Sequence, residues 1–326
     1  MNRLADHVRI FDGITPWAGY VPKGYQIDFI GTKIDLKFRK DLGVDPTTRG
    51  DKHIQTRIPT VQTDDEGWFE AFNWVAAARE ARECFVMMTL GACFGYQATG
   101  CFRALRILNP MPCKLVLVEP EPENMQWVRQ HLRDNDIDPA QHWLVQMALS
   151  DSNEPVFFPV GSPGTGAQNC LSVNLAKERR ILREAIIKSG KTKEVLSELL
   201  LRNSTGIMRD LIPGKNYMAE IKYVSSITLG DLLGPFSFVD YIEADMQMSE
   251  LIVFPPVINQ LTQKVRRIHI GTHGTETHEI LHKLFRDAGW EIVFSFEPNT
   301  THNTSMGAFK ANDGVLTVLN PRIART

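Results

Sequence analysis

Val86-Met-Met-Thr-Leu-Gly-Ala-Cys-Phe-Gly95 is a short apolar run that ends in a turn bounded by two glycines. A run of this kind fits a strand buried in a parallel sheet, and glycines straight after it let the backbone pass close to a ligand at the start of the next helix. The next apolar run closes on Glu119, 28 residues beyond Gly91. An acid at the end of the second strand of an open α/β sheet can accept hydrogen bonds from ribose hydroxyls. Gly91 and Gly95 as the turn, with Glu119 as the ribose contact, therefore suggest a nucleotide-type ligand.

Working outward, the strand candidates 86–90, 115–119 and 143–148 alternate with helical stretches at 96–108 and 122–133, the spacing of β-α-β-α-β units and a parallel sheet. Upstream, residues 66–85 carry Trp68, Phe69, Phe72, Val75 and Ala76 with few breakers, which predicts an amphipathic helix. Trp68, Phe72 and Trp74 on it read as core packing, with a wall of the ligand pocket as the sharper alternative. The alternation stops at Ser150, and loop chemistry at 151–165, a charged helical region at 175–203 and irregular sequence at 204–225 read as an insertion. The basic run Lys177-Glu-Arg-Arg180 in it reads as a solvated face. Alternation resumes with a helical turn near 228–233, a strand at 238–244, a helix through 249–262, a strand at 266–271, a helix at 276–288 and strands near 291–297 and 314–319. The Pro-Asn-Thr-Thr-His-Asn-Thr segment before the last strand suits the loop of an antiparallel hairpin at the sheet edge. Residues 1–65, rich in Gly, Pro, Thr and Asp, read as an irregular arm or cap. The organisation expected is thus an arm over 1–65 and one domain over 66–326 with an insertion at about 151–225.

The 326 residues suffice for a large core, and 36 basic against 38 acidic residues leave a net charge of −2. That balance gives no broad electrostatic footprint for nucleic acid or an anionic membrane, so a small-molecule partner fits better. Five scattered cysteines without C-x-x-C spacing argue against a disulfide framework and a structural zinc site. With no continuous apolar leader and no membrane-length apolar stretch, the expectation is a soluble, cytoplasmic protein. A homo-oligomer is left open.

The turn Gly91-Ala-Cys-Phe-Gly95 is a poor dinucleotide fingerprint, because a diphosphate needs backbone amides uncovered by side chains. A ligand without phosphates, such as S-adenosylmethionine, tolerates Cys93. Asp245, ending the fourth strand, faces the place of an acceptor, and an N-cap for the helix starting near Ser249 is its bland alternative. His273 lies past the carboxyl end of the fifth strand and is the best-placed general base, with Asp245 as alternative or orienting partner. His269, on the same strand, reads as a core histidine. His278 and His282 lie one helical turn apart but lack a third ligand, so no metal site is read. Tyr96, following Gly95, is placed to touch the donor's methionine end.

Five stretches carry a resemblance: Leu90-Gly-Ala-Cys-Phe-Gly-Tyr96, Val118-Glu-Pro120, Met147-Ala-Leu-Ser-Asp151, Val239-Asp-Tyr-Ile-Glu-Ala-Asp-Met-Gln-Met-Ser-Glu250 and Arg267-Ile-His-Ile-Gly-Thr-His273. In order and spacing, over about residues 84–297, the chain resembles the FkbM-type S-adenosylmethionine-dependent methyltransferases. The resemblance implies a Rossmann-like class I methyltransferase fold, an α/β architecture with a seven-stranded, mostly parallel sheet and an antiparallel C-terminal hairpin. It also implies S-adenosylmethionine as donor, held by Thr89, Gly91, Ala92, Gly95, Tyr96, Glu119, Pro120, Ala148 and Asp245, and O-methylation of small molecules or sugars. The chain departs from the family at Thr89, where Asp or Glu is usual, at Gln247, where Glu is frequent, and at Met248, where Gly is frequent. A catalytically silent donor-binding protein and an NAD-dependent oxidoreductase, which Glu119 would serve equally well, are the alternatives.

Overall fold

The computed structural model describes residues 7–39, 49–160, 163, 220–247 and 249–323. Its centre is a seven-stranded sheet of β1 (Phe85–Leu90), β2 (Cys113–Val118), β3 (Trp143–Val145), β4 (Val239–Ala244), β5 (Val265–Thr272), β6 (Glu291–Phe296) and β7 (Gly314–Leu319). In space the order is β6-β7-β5-β4-β1-β2-β3. Neighbours are parallel from β5 across to β3, and β7 alone runs antiparallel, paired with both β5 and β6. A parallel strand order that reverses direction at β1, closed by one antiparallel strand, is the class I methyltransferase arrangement, and the chain has this fold. The expected mostly parallel sheet with a C-terminal hairpin is therefore present.

Burial explains the continuous apolar runs. Every residue of β1 and of β4 is buried, because helices cover both faces of the sheet. On one face Phe85, Met87, Leu115, Leu117 and Tyr241 pack beneath α1 (Glu66–Glu80), α2 (Tyr96–Leu108) and α3 (Pro122–Asp134). On the other, Val86, Met88, Leu90, Ile242 and Ile268 pack with Leu232 of the Leu229–Leu233 helix, Leu261 of Ile258–Lys264, and Leu281 and Phe285 of α4 (Thr275–Asp287). The helix expected over 249–262 is instead broken into Glu250–Val253, a 3-10 turn Pro255–Val257 and Ile258–Lys264. Two successive prolines lack the amide donors a continuous helix needs there. The segment expected as a hairpin loop itself forms strands, Thr300–Thr304 paired with Gly307–Ala311.

Residues 7–39 and 49–65 lie over the α1/α2/α3 face. Phe11, Ile14, Phe29 and Ile30 join the core of α1, while Ile34 and Phe38 pack on Phe94 and Trp127. Polar ties seat the arm: Tyr96 donates to Asp28 Oδ2 at 3.1 Å, and the Lys33 amide donates to Asn135 Oδ1 at 2.8 Å. Where the insertion is expected, Val156–Val160 pairs antiparallel with Glu220–Val224. The helical region at 175–203 and the run 177–180 lie outside the described residues, as does Met248. Among the described residues no helix is long and apolar enough to cross a membrane.

Candidate active site

At the carboxyl ends of β1, β2 and β4, where the strand order reverses, a cleft holds about 630 Å³ of empty space open to solvent. Gly91, Cys93, Glu119, Pro120, Asn124, Met147, Ala148, Leu149, Phe158, Asp245 and Gln247 are among its walls. Gly91 is held here for a steric reason. It has φ +85°, and a Cβ on it would come within 1.9 Å of the Asp245 carbonyl oxygen. Only glycine allows β1 and the end of β4 to approach this closely.

Four of the turn's five amides are engaged by protein acceptors. Gly91 and Ala92 donate to Val118 O at 3.1 and 2.9 Å, Cys93 donates to Glu119 Oε2 at 2.7 Å, and Gly95 donates to Ala92 O at 2.6 Å. Glu119, buried at the foot of the cleft, also accepts at Oε1 from the Glu121 amide at 2.9 Å and from Asn124 Nδ2 at 3.4 Å. Oε1 thus accepts twice, and Oε2, which accepts once, keeps one lone pair for a further donor. Burial raises the Glu119 carboxyl to about 7, against the lowering effect of these hydrogen bonds.

Across Gly91 stands Asp245, with 53 % of its side chain exposed. Its Oδ1 lies 3.4 Å from His273 Nε2, and His273 Nδ1 reaches Glu250 Oε1 at 3.1 Å. Asp313 Oδ1 is 3.6 Å from the same Nε2. The helix after β4 starts at Glu250 with Ser249 as its cap residue, so Asp245 is not a helix cap. Burial alone would lower the basicity of His273, but Glu250, Asp245 and Asp313 outweigh it and raise the imidazole to about 10. An imidazolium has no lone pair with which to take a proton, so this surrounding of acids favours Asp245, the alternative base, over His273. Asp245, raised to about 6 by desolvation at the cleft wall against the pull of His273, remains largely ionised at neutral pH.

The expected donor contacts separate into two groups. Gly91, Glu119, Pro120, Ala148 and Asp245 line the cleft. Thr89, Ala92, Gly95 and Tyr96 do not. Thr89 and Ala92 are buried on the α1/α2 side; Gly95 caps α2 in the left-handed conformation; and Tyr96 turns to Asp28 and packs edge-on to Trp74 at 5.4 Å. The reason is parity, since alternate residues of β1 face opposite sides of the sheet and the first turn of α2 rolls Tyr96 into the core. Trp68, Phe72 and Trp74 are core. His269 is core too, its Nδ1 2.8 Å from Thr317 Oγ1. His278 bridges Thr272 and Ser295, and among the described residues no group of three or more His, Cys, Asp or Glu is placed to hold a metal ion. The sequence reading missed Asn124, Phe158, Glu250 and Asp313. Phe158 had a signal, because Val156-Phe-Phe-Pro-Val160 is an apolar, aromatic strand candidate within a segment read as loop.

No family model matches the chain, and no curated protein matches it. Among solved structures it is similar to the methyltransferase FkbM from Methylobacillus flagellatus KT, at 10% identity and TM-score 0.39, over 79% of this chain and 56% of that one. It is also similar to the Aeropyrum pernix fibrillarin with natively bound S-adenosyl-L-methionine, at 11% identity and TM-score 0.33 over 76% of each chain. A Bacillus cereus O-methyltransferase in complex with SAH follows, at 12% identity and TM-score 0.32, over 80% and 84%. These superpositions are loose, and the strand order carries the fold assignment without them.

Proposed function

We propose that the chain is an S-adenosylmethionine-dependent O-methyltransferase of FkbM type, acting on a hydroxyl of a small-molecule or glycan acceptor. The observation that carries this reading is the state of the Gly91–Gly95 turn. Its amides at 91, 92, 93 and 95 are spent on Val118, Glu119 and Ala92, so a diphosphate would meet at most the Phe94 amide of this turn. A nucleoside ligand without phosphates fits, with Glu119 to accept from the ribose and Val118, Met147, Leu149 and Phe158 as apolar walls for the base. This disfavours the NAD-dependent alternative. Asp245 and His273 beside the same cleft favour a working enzyme over a silent binder.

When bound, the donor supplies a methyl group activated by a sulfonium. The chain supplies alignment and a proton acceptor. Residues at Gly91 and Glu119 fix the donor against the cleft floor, and positioning of this kind is worth about 7–11 kcal/mol. Asp245 Oδ takes the proton of the acceptor hydroxyl as its oxygen forms the new bond to the methyl carbon and the carbon–sulfur bond breaks. His273, clamped by Glu250, holds Asp245 ionised and oriented.

Labelled S-adenosylmethionine with a panel of alcohols, sugars and polyketide hydroxyls tests the reading. Transfer to a hydroxyl is expected with the wild type, and Asp245→Asn should reduce turnover by about 10²–10⁴-fold with donor affinity nearly intact. Nicotinamide dinucleotide binding with no S-adenosylmethionine binding would overturn it.

A further inference from the structure

Beside Asp245 stands a second carboxylate that the mechanism above leaves unused. Thr272 at the end of β5 pairs with Gly314 at the start of β7, and this register sets Asp313 next to His273. The turn that carries Asp313 is held through its backbone: Glu66 of α1 accepts from the Asn312 amide and, at 2.9 Å, from the Asp313 amide. The Asp313 side chain takes no part in that anchorage, and 41% of it is exposed.

Three carboxylates thus surround one imidazole. Glu250 Oε1 engages Nδ1, while Nε2 lies 3.4 Å from Asp245 Oδ1 and 3.6 Å from Asp313 Oδ1. The His273 side chain is 2% exposed, yet Nε2 makes no hydrogen bond among the described residues. A buried nitrogen in that state is unfavourable. One hydroxyl seated between the two carboxylates satisfies it, because its oxygen accepts from Nε2 while its proton goes to Asp313. An ammonium would meet both carboxylates but has no lone pair for Nε2, and an ether oxygen would meet Nε2 but has no proton for Asp313. Asp245, which lines the cleft, is left for the hydroxyl that reacts. Since Asp245 and Asp313 approach the same nitrogen, the two hydroxyls they take are close neighbours, as on adjacent carbons.

We propose that the acceptor is a vicinal diol, with Asp245 taking the proton of the hydroxyl that is methylated and Asp313, together with His273 Nε2, selecting the hydroxyl beside it. The proposal rests on the methyltransferase reading above. The oxygen of the first hydroxyl forms its bond to the methyl carbon as the carbon–sulfur bond breaks and its proton passes to Asp245. The second hydroxyl is unchanged, so the product is a monomethyl ether. Asp313 is then a specificity-determining residue contributed by the turn before β7.

Four probes on one ring separate the contributions in transfer assays with labelled S-adenosylmethionine: cyclohexane-1,2-diol, 2-methoxycyclohexanol, 2-aminocyclohexanol and cyclohexanol. Wild-type kcat/KM for the diol should exceed that for each of the other three by about ten- to hundredfold, as expected for hydrogen bonds to charged groups that the diol alone completes. Asp313→Ala should bring the diol down to the level of cyclohexanol through KM, with kcat nearly unchanged and cyclohexanol itself unaffected, a split that a merely structural Asp313 would not give. The wild-type ranking is a test independent of that variant. Equal kcat/KM for the diol and cyclohexanol, a preference for 2-aminocyclohexanol or 2-methoxycyclohexanol over the diol, or a diol preference that survives Asp313→Ala would overturn the proposal. Transfer to none of the four by a chain that binds S-adenosylhomocysteine would overturn it while leaving the donor site standing, whereas a chain that does not bind S-adenosylhomocysteine would overturn the methyltransferase reading itself.

Discussion

Asp245 and His273 form a charge pair whose members had to be sorted by environment. In the proposed mechanism His273 is the cation and Asp245 the base, and this ordering makes a kinetic prediction. His273→Gln removes the charge that lowers the Asp245 pKa, so the acid limb of the pH–rate profile should move to higher pH, above about 6. An unmoved limb would show that Asp245 is not the titrating base. At Gly91 the prediction is structural. Gly91→Ala places a Cβ within 1.9 Å of the Asp245 carbonyl at φ +85°, so thermal melting should show a loss of more than about 3 kcal/mol or no folded protein.

How far these residues were legible depends on what surrounds them. Glu119, Gly91 and Asp245 are visible because a glycine or acid at the end of an apolar run violates the pattern of a buried strand, and they do line the cleft. Tyr96 and Thr89 sit at neighbouring positions but are turned away, and a one-residue change of face cannot be read from a motif. The protonation state of His273 was illegible for another reason. It is set by Glu250 and Asp313, which lie 23 and 40 residues away in sequence and meet it only through the fold.

Among the elements, α1 does more than fill the core. Asn73 on it donates from Nδ2 to Thr317 Oγ1 at 3.0 Å and meets His269 Nδ1 at 3.1 Å, while its Oδ1 accepts from Arg267 Nη1 at 3.3 Å. Arg267 in turn pairs with Glu80 at the end of the same helix at 2.7 Å. These contacts pin α1 over β5 and β7, beside the strand end that carries His273. Asn73→Ala would leave Arg267 Nη1 without its acceptor, while His269 and Thr317 keep one another and Arg267 Nη2 keeps Glu80. Denaturant unfolding should show a loss of about 1–3 kcal/mol for the group left unsatisfied; a change below about 0.5 kcal/mol would mean that solvent replaces the network. The alternation of strands and helices was legible here because the sheet is buried on both faces. The break at Pro255–Pro256 was also signalled by those residues, although apolar periodicity on either side of it masked the stop.

For the molecule as a whole, the buried acids and His273 push stability one way, while His131, His142, His269 and His278, lowered by burial to about 3 to 4, push it the other way below about pH 6.5. Glu66, Glu70 and Glu119 are raised to about 7, mainly by burial, and Asp245 to about 6. These acids hold protons in the folded state that the unfolded chain has lost between about pH 4.5 and pH 7, and their contribution to stability falls as pH rises through that window. His273 acts in the same sense: its stabilisation is complete below the unfolded value of 6.5 and is lost as pH rises toward about 10. Melting temperature should thus decline from about pH 6.5 to pH 9, where the lowered histidines are neutral in both states and only the acids and His273 titrate. Glu70→Gln should flatten that decline, since it removes one of the acids that must ionise while buried; a slope equal to that of the wild type would remove Glu70 from the account.

The whole reading depends on a nucleoside sulfonium ligand lying over Gly91 and gripped through its ribose. The most direct measurement is a calorimetric titration of S-adenosylhomocysteine into the wild-type chain and into Glu119→Ala. The account predicts one-to-one binding to the wild type, weakened about ten- to hundredfold by the substitution with the fold intact. A wild-type chain that does not bind, or a variant that binds as tightly as the wild type, would contradict it.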